Sequence, residues 1–313
     1  MKILVTGASG FIGRALCKSL LKKGEVVKSV LRSTNTLIEG TEVVLIEDID
    51  ANTNWFEALL EVEIVVHLAA RVHVMNDRVA NPINAFRVVN VDSVLNLATQ
   101  AASVGVKRFI YISSIKVNGE LTMDGQPFRE IDPPSPKDAY GQSKNEAERG
   151  LFELTTKTDM KVVIIRPPLV YGPGVKANFA SLTLAVQRRW LLPFGAIANK
   201  RSFVSLDNLI DFIIICIHHP LAANQVFLVS DGQDLSTPEL IRRIASIAGV
   251  SVHLLWVPLW ALKICFFLLN KSHIAHRLCS NLQVDISKSQ NMLGWIPPVS
   301  VDEGLKRTIL TVD

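Results

Sequence analysis

A glycine-rich turn near the N-terminus, within LVTGASGFIG (residues 4–13), constrains the fold of this chain more than any other stretch. The apolar residues 3–5 predict a buried parallel strand that breaks at the first glycine. A helical pattern follows, and its apolar face consists of Ile12, Ala15, Leu16 and Leu20. Glycine lets the backbone turn sharply, and the helix N-terminus offers free N–H groups to a phosphate. This order predicts a dinucleotide pyrophosphate site at Gly7, Gly10 and Gly13, the alternative being an ordinary glycine-rich turn.

The pattern that follows predicts an α/β fold. Predicted strands cover residues 26–31, 43–46, 64–68, 107–113 and 162–165, and predicted helices cover 55–60, 82–103 and 136–156. Their alternation predicts a Rossmann-type doubly wound parallel sheet, which would form a cofactor-binding domain over residues 1–166. Prolines and glycines break the alternation after Arg166. Residues 167–313 are therefore expected to form a smaller, mostly helical substrate lobe, with 203–235 returning to the sheet.

Composition and charge limit the partners. The 313 residues include 33 basic and 29 acidic side chains, a net charge of +4. The surplus lies in the C-terminal part as separate pairs, which favours a small anionic substrate and argues against nucleic acid. The four cysteines lack metal-ligand or redox spacing and are expected to be reduced core residues, and no metal site is expected. Because the first strand starts at residue 2, we expect no signal peptide and a cytoplasmic location.

Residues 254–270 (LLWVPLWALKICFFLLN) form a strongly apolar segment. Pro258 and Lys263 interrupt it, and it is shorter than the ~20 apolar residues of a membrane-spanning helix. The segment therefore predicts a buried or interface helix. The alternative is peripheral contact with a membrane surface.

The residue after the second predicted strand bears on the choice of cofactor. A carboxylate at this place would bond the adenosine 2′-hydroxyl of NAD, whereas an arginine can accept the 2′-phosphate of NADP. This chain has Arg32 there and no acid before Glu39. Arg32 thus favours NADP(H), with NAD(H) as the alternative; it could also be an ordinary surface arginine.

A tyrosine and a lysine four residues apart, Tyr140 and Lys144, carry the most specific chemistry. On a helix this spacing places both side chains on one face. The ammonium is expected to lower the pKa of the phenol, so that tyrosine can act as a general acid or base. Ser114 follows the fifth predicted strand, at the sheet edge where α/β proteins bind ligands, and its hydroxyl could bond both substrate and tyrosine.

With these motifs in order, the chain resembles the extended short-chain dehydrogenases, the NAD-dependent epimerase/dehydratase family that acts on nucleotide sugars. The resemblance covers essentially the whole chain and rests on VTGASGFIG, VVHLAA, YISS, YGQSK, IIRPPLVYGPG, RSFVSLDNL and the late LGW. The dehydratases of this family carry an Asp-Glu pair after the catalytic hydroxyl residue. Ile115 and Lys116 stand there instead, which argues against a dehydratase.

The resemblance implies a set of site residues. It implies the catalytic residues Ser114, Tyr140 and Lys144. Besides Tyr140 and Lys144, the implied cofactor-binding residues are Gly7, Ser9, Gly10, Phe11, Ile12, Gly13, Arg32, Asp48, Ile49, Leu68, Ala69, Ala70, Asn90 and Pro167. The implied substrate-binding residues are His73, Ser114, Asn178 and Arg201.

The resemblance also implies the preferred function, which is oxidoreduction at C4 of a UDP-linked sugar in surface-polysaccharide synthesis. Reduction of a UDP-4-keto-6-deoxy-N-acetylhexosamine is favoured, because Arg32 points to an exchangeable phosphorylated cofactor. The first alternative is a UDP-glucose or UDP-N-acetylglucosamine 4-epimerase. The second is a non-catalytic NADP(H)-sensing protein, which the intact Ser114, Tyr140 and Lys144 argue against. The expected partner is a UDP-sugar substrate, and a homodimer is left open.

Overall fold

The strands of the computed structural model, which describes residues 1–72, 82–268 and 278–310, form two parallel sheets. They are β1 (Lys2–Thr6), β2 (Val26–Leu31), β3 (Glu42–Leu45), β4 (Ile64–His67), β5 (Arg108–Ile112), β6 (Lys161–Arg166), β7 (Leu169–Tyr171), β8 (Phe203–Ser205) and β9 (Gln225–Leu228). The large sheet has the order β3-β2-β1-β4-β5-β6-β9, and all its pairings are parallel. The predicted doubly wound parallel sheet is therefore confirmed.

Helices cover both faces of the large sheet and form most of the C-terminal part. They are α1 (Phe11–Lys22), α2 (Phe56–Leu59), α3 (Pro82–Arg87), α4 (Ser93–Ser103), α5 (Ala139–Thr155), α6 (Ala177–Gln187), α7 (Leu206–His218), α8 (Thr237–Ile247), α9 (Leu259–Leu268), α10 (Ser287–Leu293) and α11 (Val301–Leu310). The structure interrupts the long helix that was predicted over residues 82–103. A π-helical turn, Val88–Asp92, joins α3 to α4.

Two apolar cores lie on opposite faces of the large sheet. Successive residues of β1 alternate between them, with Ile3 and Val5 in one core and Leu4 in the other. Helices α1 and α7 contribute to the first core, and α4 and α5 to the second. Because both faces are covered, the strands are nearly continuous apolar runs, as in parallel sheets generally.

A third apolar core holds the C-terminal part together. It combines side chains of α6, α8 and α11 with Tyr171 and Phe203, which lie on the two strands of the small sheet. A bridge between Leu192 and Leu254 joins the chain after α6 to the segment before α9. The carboxyl edge of the large sheet and this third core bound the candidate site.

Helix α9 is not buried within the protein, so of the predicted roles only an interface helix or peripheral contact with a membrane fits it. Leu262 is its only buried residue, whereas Trp260 and Phe267 are 68% and 74% exposed. Cys17 and Cys216 are buried as expected, but Cys265 on α9 is exposed, so it is not a core residue. Within the described part of the chain, no helix has the length and apolar character needed to cross a membrane.

Candidate active site

The glycine turn between β1 and α1 packs tightly against itself and against the end of β4. Gly7 has a φ of +65°, and its carbonyl accepts a hydrogen bond of 2.9 Å from the Gly10 N–H. A Cβ atom on Gly13 would lie 2.2 Å from the Gly7 oxygen, and one on Gly7 would lie 2.8 Å from the Ala69 nitrogen. A side chain at either place would therefore displace backbone.

The N-terminus of α1 is open to an anion. Its N-cap is Gly10, which has no side chain to occupy the free N–H groups, and the first turn contains no acidic residue. The Thr6 hydroxyl accepts a hydrogen bond from the Ala69 N–H at 3.3 Å, which fixes the chain after β4 beside the turn. These features fit the pyrophosphate of a dinucleotide cofactor, since the free N–H groups and the dipole favour negative charge.

The residues implied at the adenosine end lie where neighbouring strands end. Leu31 of β2 is paired with Leu45 of β3, and Arg32 follows directly, with an exposed side chain. Asp48 is exposed after β3, and Ile49 packs against the core. The arrangement places an arginine and a carboxylate at adjacent strand ends, so it does not by itself decide between NAD and NADP.

Asn90 lies in the π-helical turn and connects three parts of the site. Its side chain accepts a hydrogen bond from the Arg71 N–H at 2.8 Å and donates to the Arg71 carbonyl at 3.0 Å. It also donates to the Ser143 hydroxyl at 3.1 Å. Asn90 therefore ties the chain after β4 to helix α5. A π-helical turn at such a place is frequent in functional sites.

The candidate catalytic residues come together at the carboxyl edge of the sheet. Asp138 caps α5 by accepting a hydrogen bond from the Gly141 N–H, so Tyr140 lies in the first turn and Lys144 one turn later. Ser114 lies beyond the end of β5, and its hydroxyl interacts with the Tyr140 phenol. The Lys144 Nζ donates to the Ile112 carbonyl at 2.8 Å and lies 5.9 Å from the centre of the Tyr140 ring.

The electrostatics of Tyr140 differ from the sequence-based expectation. Burial, together with the charge of Asp138, raises the pKa of Tyr140 to about 12, and the interaction with the Ser114 hydroxyl opposes this rise. Burial also lowers the pKa of Lys144 to about 7, against the opposing charge of Glu148. The expected lowering of the tyrosine pKa by lysine is therefore wrong for the protein alone, because burial of the phenol has the largest effect on its pKa.

A buried ion pair behind these residues was not predicted. Arg166, at the end of β6, donates from Nε to Glu148 at 3.0 Å, and both side chains are almost fully buried. Arg166 also bonds the Asn118 side chain at 2.9 Å, and the Ser113 hydroxyl donates to Glu148. One signal was available in the sequence, because Glu148 follows Lys144 by one helical turn.

A cavity of about 730 Å³ lies between the sheet edge and the third core. Its polar wall includes Ser114, Lys116, Asp138 and Tyr140. Its opposite wall is mainly apolar and consists of Leu169, Phe179, Leu182, Phe203, Leu240, Leu278 and Leu282. A polar reacting end and an apolar wall are typical of a small-molecule site.

Two of the predicted substrate residues line the same cavity as Ser114 and Tyr140. Asn178 lies in the first turn of α6 with an exposed side chain. Arg201 lies between α6 and β8 and donates to the Ser280 carbonyl at 3.0 Å. His73 lies outside the described residues. The apolar wall was not predicted, because its residues come from distant segments.

Metal ligands are a separate question. Among residues 1–72, 82–268 and 278–310, no group of three or more His, Cys, Asp or Glu side chains could hold a metal ion.

The fold and this site define a Rossmann-type enzyme that uses a nicotinamide cofactor. The model of the NAD dependent epimerase/dehydratase family matches residues 3–230. The chain belongs to this family.

Individual relatives agree with this assignment. The chain is 51% identical over 308 residues to the UDP-glucose 4-epimerase of Vibrio cholerae, which covers 98% of this chain and 94% of the relative. The structure of UDP-glucose 4-epimerase with UDP-glucose from Thermotoga maritima has a TM-score of 0.79 and 25% identity, covering 99% of this chain and 98% of that one. UDP-glucuronic acid 4-epimerase from Bacillus cereus, solved with NAD, shares the fold with a TM-score of 0.80, 23% identity and coverage of 99% and 97%.

Proposed function

We propose that this enzyme is a 4-epimerase of a UDP-linked hexose. The observation that carries the proposal is the meeting of Ser114 and Tyr140 with Arg201 around one cavity. The 51% identity to a UDP-glucose 4-epimerase over nearly the whole chain supports the reaction type. The domain organisation follows: residues 1–166 would hold the cofactor, and 167–313 would provide most of the substrate contacts.

The proposed acid and base is Tyr140. Its phenolate would take the proton of the C4 hydroxyl during oxidation, and the phenol so formed would return that proton to the C4 oxygen after the keto sugar has turned over. Ser114, whose hydroxyl interacts with this phenol, would orient the C4 oxygen. Lys144 would carry charge next to the reacting groups and contact the nicotinamide ribose. Its hydrogen bond to the Ile112 carbonyl holds it in place.

The cofactor would lie across the carboxyl edge of the large sheet. Gly7, Ser9, Gly10, Phe11, Ile12 and Gly13 would hold the pyrophosphate; Arg32, Asp48 and Ile49 the adenosine; and Leu68, Ala69, Ala70, Asn90 and Pro167 the nicotinamide half. When bound, an oxidised nicotinamide supplies a hydride acceptor for C4 and a positive charge that favours the phenolate of Tyr140. NAD(H) and NADP(H) both remain candidates.

The diphosphate end of the substrate would lie toward the C-terminal part. Arg201 presents a planar guanidinium that suits phosphate oxygens, and Asn178 offers an amide near the N-terminus of α6. His73 stays a predicted substrate contact.

A UDP-4-keto-sugar reductase is the second candidate, because Arg32 stands exposed where a carboxylate would favour NAD. The purified protein should be incubated with UDP-glucose, UDP-N-acetylglucosamine and UDP-4-keto-6-deoxy-N-acetylglucosamine, with and without NAD or NADPH. Sugar products are resolved by NMR while absorbance follows the reduced cofactor. An epimerase interconverts the first two sugars with their 4-epimers and consumes no cofactor.

Stoichiometric loss of NADPH with the keto sugar alone would establish the reductase and overturn the epimerase. Cofactor binding with no conversion of any sugar would favour the sensing role. Arg32→Asp addresses the cofactor separately, and we expect it to shift preference toward NAD(H) whichever reaction is found.

A further inference from the structure

The C-terminal part exposes large apolar side chains on two neighbouring segments, and the catalytic proposal does not use them. We call these side chains the tryptophan patch, which consists of Trp190, Leu191, Leu255, Trp256, Leu259, Trp260, Ile264, Phe267 and Leu268. Each of these side chains is at least 38% exposed, and Leu268 reaches 77%. Backbone hydrogen bonds join the two segments side by side, since the Leu255 N–H donates to the Leu192 carbonyl at 2.9 Å.

The protein itself covers little of helix α9. Leu262 and Phe266, one turn apart, pack on the third core, while the other large apolar side chains of α9 point away from it. A helix that is apolar on all sides is normally buried or in contact with lipid. Exposed apolar patches of this kind mark interaction surfaces in folded proteins.

The distribution of charged residues around the tryptophan patch indicates what kind of partner it would bind. The sequence has no Asp or Glu between residues 160 and 206, and none between 240 and 284. These two stretches supply every residue of the patch. Arg188, Arg189 and Lys263 lie exposed beside it. Basic side chains on segments that lack acidic residues are complementary to an anionic surface.

We propose that the tryptophan patch docks the enzyme on an anionic membrane surface. Trp190, Trp256 and Trp260 would enter the interface between headgroups and acyl chains, where tryptophan is enriched in membrane proteins. Lys263 would extend from the apolar face to the phosphates, and Arg188 would add electrostatic attraction. This inference goes beyond the proposed reaction and does not depend on which sugar is the substrate.

The test is flotation of the full-length protein with vesicles of phosphatidylcholine, with or without phosphatidylglycerol. We expect binding to the mixed vesicles, weakening with salt and much lower on phosphatidylcholine alone. Trp260→Ser with Phe267→Ser should lower partitioning at least about tenfold, because two large apolar side chains are lost from the interface. Arg188→Gln and Lys263→Gln should lower it about fivefold each.

Matched variants outside the patch serve as controls. Met123 and Ile296 are 73% and 74% exposed, and their replacement by serine should leave vesicle binding unchanged. Lys22→Gln with Lys157→Gln removes two exposed charges elsewhere and should have little effect. Sugar turnover in solution is measured on every variant and should stay near that of the unmodified protein, which separates this inference from the proposed reaction.

Three results would overturn the inference. One is no binding to the phosphatidylglycerol vesicles. Another is equal binding by the patch and control variants. The third is a dimer, seen by analytical ultracentrifugation, that the patch variants dissociate while vesicles bind none of the proteins; the patch would then be an interface between copies of this chain.

Discussion

Two helices of this enzyme place their side chains in opposite ways. Helix α5 buries Ser143, Lys144 and Glu148. Helix α9 buries only Leu262 and exposes Trp260 and most of its other large apolar side chains. Buried polar groups and exposed apolar patches are the informative exceptions to ordinary burial.

This difference in burial indicates which kind of ligand each helix would meet. The buried polar groups of α5 are paired: Lys144 with the Ile112 carbonyl, Glu148 with Arg166, and Ser143 with Asn90. They serve a site inside the protein, where positions must be fixed. The patch around α9 has no such pairing to satisfy, because apolar side chains need only be removed from water.

The largest effect is expected from the hydroxyl of Tyr140. Tyr140→Phe removes the proposed acid and base, and turnover should fall roughly 10²–10⁴-fold with the cofactor still bound. Tyr111→Phe is the control, because the Tyr111 hydroxyl is buried and has no hydrogen-bond partner among the described residues. Steady-state kinetics and cofactor titration check both. Near-normal turnover of Tyr140→Phe would remove Tyr140 from its role.

The next largest effect is expected on stability, from the buried ion pair of Glu148 and Arg166. Glu148→Gln leaves Arg166 without its anionic partner in the interior, and the free energy of unfolding should fall by about 3–5 kcal/mol. The exposed pair of Arg307 and Glu303 is the comparison, and Glu303→Gln should cost no more than about 1 kcal/mol. Urea unfolding measures both. If both substitutions lowered the free energy of unfolding equally, burial would not account for the contribution of the Glu148–Arg166 pair.

A smaller effect is expected where the C-terminal part meets the substrate. Arg201→Ala removes a charged hydrogen-bond donor from the proposed diphosphate site, and UDP-sugar binding should weaken by about 1.5–3 kcal/mol. Binding of the nicotinamide cofactor should hardly change. Lys200→Ala is the control, since Lys200 pairs at the surface with Asp124. Calorimetric titration with UDP and with the cofactor measures both affinities. An equal loss of affinity for both ligands would contradict the placement of Arg201 at the diphosphate.

The smallest effect concerns pH and the buried His67. Burial lowers the pKa of His67 to about 3, so the folded protein keeps its imidazole neutral while the unfolded chain protonates it near pH 6.5. Its contribution to stability is present above pH 6.5 and is lost as pH falls toward 3. Between pH 7.5 and 5.5 the loss should be roughly 1 kcal/mol.

Substitution separates this contribution from the other titrating groups. The stability difference between the two pH values should shrink in His67→Gln and stay unchanged in His253→Gln, where the side chain is exposed. Urea unfolding at both pH values provides the comparison. An unchanged pH difference in His67→Gln would mean that His67 does not contribute.

Features that depend on residues close together in the chain could be predicted from the sequence alone. The glycine turn at Gly7, Gly10 and Gly13 follows from backbone sterics within one short segment. Tyr140 and Lys144 share a helix face because of helical periodicity. The parallel sheet was predicted from strands that alternate with helices, since parallel strands need helical crossovers.

Contacts between residues that are far apart in the sequence became visible only in the tertiary structure. Glu148 and Arg166 meet because a helix packs across a strand, and Asn90 reaches Arg71 through a π-helical turn that periodicity does not reveal. The apolar cavity wall collects residues from five separate segments. The exposure of α9 was also undetermined, because an apolar helix has the same sequence pattern whether protein or solvent lies beside it. Burial is a property of the assembled surroundings, and these are set by packing.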